Sequence, residues 1–305
     1  MTSTSTNANL TRSVILASVA VLSWSTVATA FKIALSHLTV FSMLYVATAT
    51  ALLIFAITLI FSGDWRKLGH IPARMWGVTA LMGLVNPTVY YLVLFQAYDM
   101  LPAQIAQPVN YLWPVVLLVL LAIFGHQRIP GAKYIGMAVS LGGVIMISMG
   151  GKGITGSVSP AGLALCFGSA FLWALYWMLN NRFKNELPQS VSLFLSFMFG
   201  LAYLTVGSLF IPLEVPSTEG LLSGMYAGAF EMGIPFICFG IAVRITPNPA
   251  LVNQMCYLAP FLSLFLISMV LGEPIMPTTY VGLALIIAGI VFNQYFASRI
   301  TSHKK

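Results

Sequence analysis

Tyr111-Leu112-Trp113-Pro114 returns later as Tyr257-Leu258-Ala259-Pro260. The same offset aligns Tyr134-Ile135-Gly136-Met137-Ala138 with Tyr280-Val281-Gly282-Leu283-Ala284, and Gly143-Val144-Ile145 with Gly289-Ile290-Val291. A match that runs on without a gap marks an internal duplication, and upstream, at a slightly different offset, Trp24 pairs with Trp173. The surrounding hydropathy says what is duplicated. A transmembrane helix needs about 20 mostly apolar residues. Ten such runs, bounded by charge, Pro or Gly, stand at 12–35, 39–62, 75–98, 102–124, 133–150, 160–181, 189–211, 220–243, 249–271 and 278–298. Five fall in each copy, which divides the chain into halves 12–150 and 159–298. A polar tail, 1–11, a connection, 151–158, and a basic tail, 299–305, complete it.

Five is odd, so the second copy must enter the bilayer the other way up. Lys and Arg of short loops collect on the cytoplasmic side, which makes the loops a test. With both termini inside, Arg12, Arg66, Lys67, Arg74, Arg128, Lys133, Arg182, Lys184, Arg244, Arg299, Lys304 and Lys305 lie inside, 12 of the 14 basic residues. Lys32 and Lys152 are left outside with Asp99, Glu214, Glu219 and Glu273. The loop 63–74 carries Arg66, Lys67 and Arg74, whereas its counterpart 211–220 carries Glu214 and Glu219 and no base. The expected fold class is therefore an all-α membrane protein of ten transmembrane helices, arranged as two inverted five-helix repeats with cytoplasmic termini. Met1 to Leu10 has no basic n-region and the first apolar run outlasts a signal peptide, so that run reads as a retained span. Inverted repeats of this kind are a transporter architecture with the substrate near the midplane.

Composition supports the bilayer and excludes other classes. Only 7% of residues are charged against 59% hydrophobic, where a soluble domain carries roughly a quarter charged. The net charge of +7 is spread singly through short loops, with no stripe to engage nucleic acid. Cys166, Cys238 and Cys256 lie in apolar segments without CxxC spacing, so neither a disulfide framework nor a metal site is expected. No GxxxxGK[ST] pattern occurs, and no cofactor is expected. An intramembrane enzyme on lipid-linked substrates is the alternative outside transport. It would need acid clusters, HExxH spacing or a Ser/Lys pair, and one clear intramembrane acid is present.

That acid, Glu231, lies near the middle of the eighth span, where an ionised side chain costs roughly 2.5–3.5 kcal/mol. Arg244 is about 20 Å further along at 1.5 Å per residue, too far to neutralise it. Glu231 is thus read as a substrate-amine ligand or proton-coupling group. Gln104, Gln107, Tyr111 and Pro114 recur along one helix face in the fourth span, and Asn253, Tyr257 and Pro260 in the ninth. These stripes are expected to line a shared cavity with Asn86 and Tyr90 of the third span, Trp24 of the first, and Trp173, Tyr176 and Trp177 of the sixth. Aromatic walls with a few polar anchors suit an aromatic or bulky apolar substrate. Pro87, Pro114, Pro235 and Pro260 are the expected hinges, and Lys32 is expected to snorkel to the outer interface. The partners implied are a small-molecule substrate and the lipid bilayer, with a monomer as the working unit.

The runs Tyr257-Leu258-Ala259-Pro260, Leu271-Gly272-Glu273-Pro274, Tyr280-Val281-Gly282 and Ala288-Gly289 resemble the second repeat of the drug/metabolite transporter superfamily, in its ten-span EamA-type form. Within it, the chain looks most like the bacterial aromatic amino acid exporters. The resemblance implies a secondary carrier of the bacterial cytoplasmic membrane that exports aromatic amino acids by alternating access, with other metabolites or drugs as alternative cargo. One departure is that His126-Gln127 stands where the second repeat has Gly272-Glu273.

Overall fold

The computed structural model describes residues 3–124, 131–150, 158–183, 185–247, 251–252 and 255–302, and these form helices joined by short connections. Helix α1 (Ser3–Leu35) and α2 (Val40–Phe61) lead into a 3-10 segment, Asp64–His70. Helices α3 (Ala73–Gly83) and α4 (Tyr90–Met100) make one rod interrupted by a π-helical segment, Leu84–Val89. Then come α5 (Ala103–Asn110), α6 (Trp113–Ile123) and α7 (Gly131–Gly150). After α8 (Pro160–Phe183) and α9 (Gln189–Gly207), a second interrupted rod runs through α10 (Thr218–Ala227), a π segment Gly228–Gly233, and α11 (Ile234–Ile245). Helices α12 (Leu258–Leu271) and α13 (Pro277–Ser302) follow. Among the described residues, seven helical stretches are long and apolar enough to cross a membrane, and Tyr134–Ile147, Leu258–Leu271 and Pro277–Asn293 are shorter apolar helices. The chain is an all-α, multi-pass membrane protein.

Local chemistry sets the ends of these rods. Thr39 caps α2 by accepting a hydrogen bond from the Ser42 amide, and Ser217 caps α10 through the Gly220 amide. Gly63 and Gly272 follow α2 and α12 at φ +73° and +66°, and a Cβ at either would meet nothing within 4 Å. Backbone conformation, not space, therefore selects glycine there.

The sequence reads 102–124 as one span; residues 103–120 are one of the seven long apolar stretches, and the structure adds a turn within it. Tyr111 and Leu112 form a turn between α5 and α6, and Cys256 and Tyr257 form the matching turn before α12. Pro114 and Pro260 fall in the first turn of the helix that follows, as does Pro235 in α11. A proline there removes an N–H that no helix carbonyl would have used. Pro87 lies in the first π segment, next to Asn86 with its non-helical φ of −144°. The Thr88 hydroxyl donates to the Gly83 carbonyl at 2.9 Å. The expected hinge prolines therefore begin helices or occupy an irregular turn, and none kinks a regular helix.

Contacts between the two halves come in exchanged pairs. Helix α1 packs on α11 and α12, while α8 packs on α4 and α6. The first π segment lies on α9 and the second on α2. Both approaches depend on glycine: a Cβ on Gly200 would stand 2.5 Å from Pro87 Cγ, and one on Gly228 would stand 2.3 Å from the Ala47 carbonyl oxygen. Helices α7 and α13 run antiparallel at equally close range. A Cβ on Gly136 would come 2.6 Å from the Gly289 oxygen, and one on Gly143 would come 2.4 Å from the Gly282 oxygen. Replacing each residue by its partner in the duplication gives back the same pair of contacts. Small residues let membrane helices approach this closely, and dispersion then holds them.

One end of the bundle is tied across the halves. Glu273, between α12 and α13, accepts hydrogen bonds from the Ala103 and Gln104 amides at 3.2 and 3.4 Å. A carboxylate is thereby placed at the positive end of α5. The Gln104 side chain donates to the Pro274 carbonyl at 3.1 Å and accepts from the Met276 amide at 3.4 Å and the Thr279 hydroxyl at 3.2 Å. Lys32 belongs to the same end. Its Nζ donates to the Tyr98 and Leu101 carbonyls at 2.8 and 3.2 Å, placing a cation at the negative end of α4. At the opposite end Asp64 pairs with Lys67 at 2.8 Å and accepts a short hydrogen bond from the Ser190 hydroxyl. Lys67 first, then Ser190, hold the Asp64 carboxyl below its ordinary 3.8.

Candidate functional site

The second π segment brings Glu231 inward. Its carboxylate Oε1 accepts a hydrogen bond from the Tyr91 hydroxyl at 3.1 Å, and its backbone carbonyl accepts one from the Trp24 indole Nε1 at 3.2 Å. A π turn loosens the regular ladder and is common where function needs an exposed backbone group. Across from Glu231, Tyr90 stacks on Trp173 at 4.8 Å between ring centroids, and Trp173 stacks in turn on Tyr176 at 5.6 Å. Trp113 stacks on Trp177 at 6.1 Å, and Trp24 meets Phe239 edge-on at 5.4 Å.

These rings surround a central cavity of about 580 Å³, within the roughly 300–1,000 Å³ of small-molecule sites. Trp24, Tyr90, Gln107, Tyr111, Trp173, Trp177, Glu231 and Tyr257 all line it, with Pro114. Among the described residues, Glu231 is the one charged residue of that lining. Gln107 is 3% exposed and its Oε1 is buried without a hydrogen-bond partner, so the cavity presents a second acceptor. An ammonium group would find a carboxylate, an amide oxygen and aromatic faces here, and cation–π attraction would add to the pair.

Three expected residues, Asn86, Tyr176 and Gln104, stand elsewhere. Asn86 is fully buried in the first π segment and lines neither cavity described here. Tyr176 borders a second cavity. Asn253 lies outside the described residues. Gln104 belongs to the tie with Pro274 and Thr279 near the start of α5. The sequence reading also missed Tyr91, which holds Glu231, along with Asn110 and Asn293, which line the cavity. Asn110 directly precedes the repeated Tyr-Leu-Trp-Pro, and its amide donates to the Ser169 hydroxyl at 2.8 Å. Among the described residues, no cluster of three or more His, Cys, Asp and Glu is placed to hold a metal.

The second cavity, of about 560 Å³, shares Trp24, Trp173, Trp177 and Phe239 of its lining with the first. It is bordered by the end of α8, the start of α9 and the end of α11, and among the described residues Arg244 is the one charged residue of its lining.

A multi-pass helical bundle around an aromatic cavity with buried polar anchors defines a membrane transporter. The model of the EamA-like transporter family matches residues 11–149 and 160–295, and the chain belongs to that family. It is 25% identical to the uncharacterized transporter YvbV of Bacillus subtilis over 70% of each chain. It is also 25% identical to the aromatic amino acid exporter YddG of Ancylobacter novellus, over 75% of this chain and 77% of the other. For the aromatic amino acid exporter YddG of Escherichia coli the identity is 24%, over 63% and 66%. A solved crystal structure shares the fold with a TM-score of 0.69 at 21% identity, covering 95% of this chain and 99% of its own. The protein is thus a bacterial multi-pass inner-membrane transporter of small metabolites.

Proposed function

We propose that this chain exports aromatic amino acids across the cytoplasmic membrane by alternating access, as ten spans in two inverted five-span repeats with both termini cytoplasmic. The observation that carries the substrate reading is the central cavity itself, where Tyr90, Trp173 and Trp177 face the single carboxylate of Glu231. Such a cavity matches an aromatic ring joined to an ammonium group. Two relatives are aromatic amino acid exporters by name, which agrees with that chemistry. The exchanged contacts between halves and the two stretches matched by the family support the repeat reading. In this reading Glu231, with Tyr91 on its carboxylate, couples proton movement to substrate movement, and the halves rock about the midplane site.

Labelled tryptophan and phenylalanine should enter proteoliposomes by saturable flux that unlabelled substrate competes away. Folded protein giving no flux above empty vesicles removes the aromatic substrate. Glu231→Gln should abolish the dependence of flux on a pH gradient, and unchanged dependence refutes the coupling role.

A further inference from the structure

We propose that the second cavity is a loading site that captures the carboxylate of the substrate at Arg244 before the shared aromatic rings admit the molecule to Glu231. This rests on the transport reading above and adds a second station to it. Two cavities of similar size share Trp24, Trp173, Trp177 and Phe239, and among the described residues the charges they present are opposite: Glu231 in one, Arg244 in the other. Among the described residues a zwitterion's carboxylate finds no cation in the central cavity and meets Glu231 there. In the second cavity it meets a guanidinium that makes no salt bridge among the described residues. Arg binds carboxylate with two parallel hydrogen bonds, which gives orientation as well as attraction.

The rest of the second cavity is suited to a polar guest. Gln189 Nε2 donates to the Phe236 carbonyl at 2.8 Å and lies flat against α11, where a Cβ on Gly240 would come within 1.7 Å of it. Asn180, Asn181 and Asn185 add amides along the rim. Trp177 belongs to both cavities, and its indole Nε1 is buried with no partner. An indole N–H can only donate, so an arriving carboxylate oxygen is the group it lacks. Arg244 and Glu231 are separated by about 20 Å of helix at 1.5 Å per residue. One amino acid cannot bridge them, so the stations act in sequence. The amine leads toward Glu231 and the carboxylate trails at Arg244.

Equilibrium dialysis of the purified chain in neutral detergent tests this with two labelled probes, indole-3-propionate, which has the carboxylate without the amine, and tryptamine, which has the reverse. Arg244→Gln should raise the Kd ratio of indole-3-propionate to tryptamine about tenfold, and Arg244→Lys should raise it less. Trp177→Phe, which keeps an aromatic ring and removes the N–H, should shift the ratio in the same direction. An unchanged ratio in Arg244→Gln, or no indole-3-propionate binding by the parent chain, overturns the proposal. Displacement of the probe by added phosphatidylglycerol overturns it too, since the anion at Arg244 is then a lipid headgroup. Because binding is read without flux, a failure to transport tryptophan would remove the transport reading while these outcomes still decide the loading site.

Discussion

Gly143→Ala adds one methyl group where α7 and α13 are closest. The new Cβ would lie 2.4 Å from the Gly282 carbonyl oxygen and 2.9 Å from Ile286 Cγ1, whereas ordinary contact begins near 3.4 Å. Neither the backbone oxygen nor the helix carrying it can turn aside, so α13 must retreat by about 1 Å. A gap of 0.5–1 Å forfeits roughly a quarter to a half of each dispersion well, and overpacking of this kind costs about 1–3 kcal/mol. Gly142→Ala is the matched control. Its Cβ meets nothing within 4 Å, and replacing a helical glycine by alanine is worth up to about 1 kcal/mol in the stabilising direction. Reversible unfolding in mixed micelles, titrated with sodium dodecyl sulfate and followed by tryptophan fluorescence, should separate the two variants by about 1–4 kcal/mol. Equal midpoints for Gly142→Ala and Gly143→Ala would refute the argument that this contact is steric.

Two further expectations concern the ends of the bundle. Glu273→Gln keeps one acceptor but replaces the other with a carboxamide NH2, a donor that faces a backbone N–H, which should weaken the tie to Ala103 and Gln104 by about 1–2 kcal/mol. In a cysteine-free background carrying Phe31→Cys, labelling by an impermeant thiol reagent should then accelerate about tenfold, and an unchanged rate would count against the tie as a closure. The Asp64 carboxyl is held below its ordinary 3.8 by Lys67 and then Ser190. Its stabilising contribution is therefore present above that value and lost as pH falls through the lower folded-state value. The stability difference between the parent chain and Asp64→Asn should close as pH falls below about 3.8, as measured by thermal melts in detergent. A difference independent of pH would exclude this source.

Membrane embedding was legible because apolar runs of about 20 residues have few other uses. The aromatic lining was legible as well, since Trp24, Tyr90, Trp173 and Trp177 are large rings at mid-span that need a polar contact or a cavity. What was missed lies in contacts that residue spacing does not carry. Gln104 and Gln107 fit one stripe, but Gln104 is taken up by Pro274, Met276 and Thr279 beyond α12, and only Gln107 turns to the cavity. The π segment Leu84–Val89 shifts the helical register before Tyr90 and Tyr91, so the second tyrosine reaches Glu231 without any signal in a 3.6-residue period. The partners of Lys32 were not legible because they are backbone carbonyls 66 and 69 positions away. No side-chain pattern encodes an acceptor of that kind.

The tie at Glu273 also differs from anything the duplication supplies at the other end. Glu273 corresponds to Gln127, Ala103 to Pro249, and Gln104 to Ala250. Gln127 is uncharged, Pro249 has no amide hydrogen to give, and Ala250 has no side-chain amide, so the sister end cannot assemble the same set of bonds. The carboxylate buckle is thus written into one copy of the duplication only. In the alternating-access reading proposed above, each 1.4 kcal/mol that the buckle contributes would make the empty carrier about tenfold more often shut at the Glu273 end.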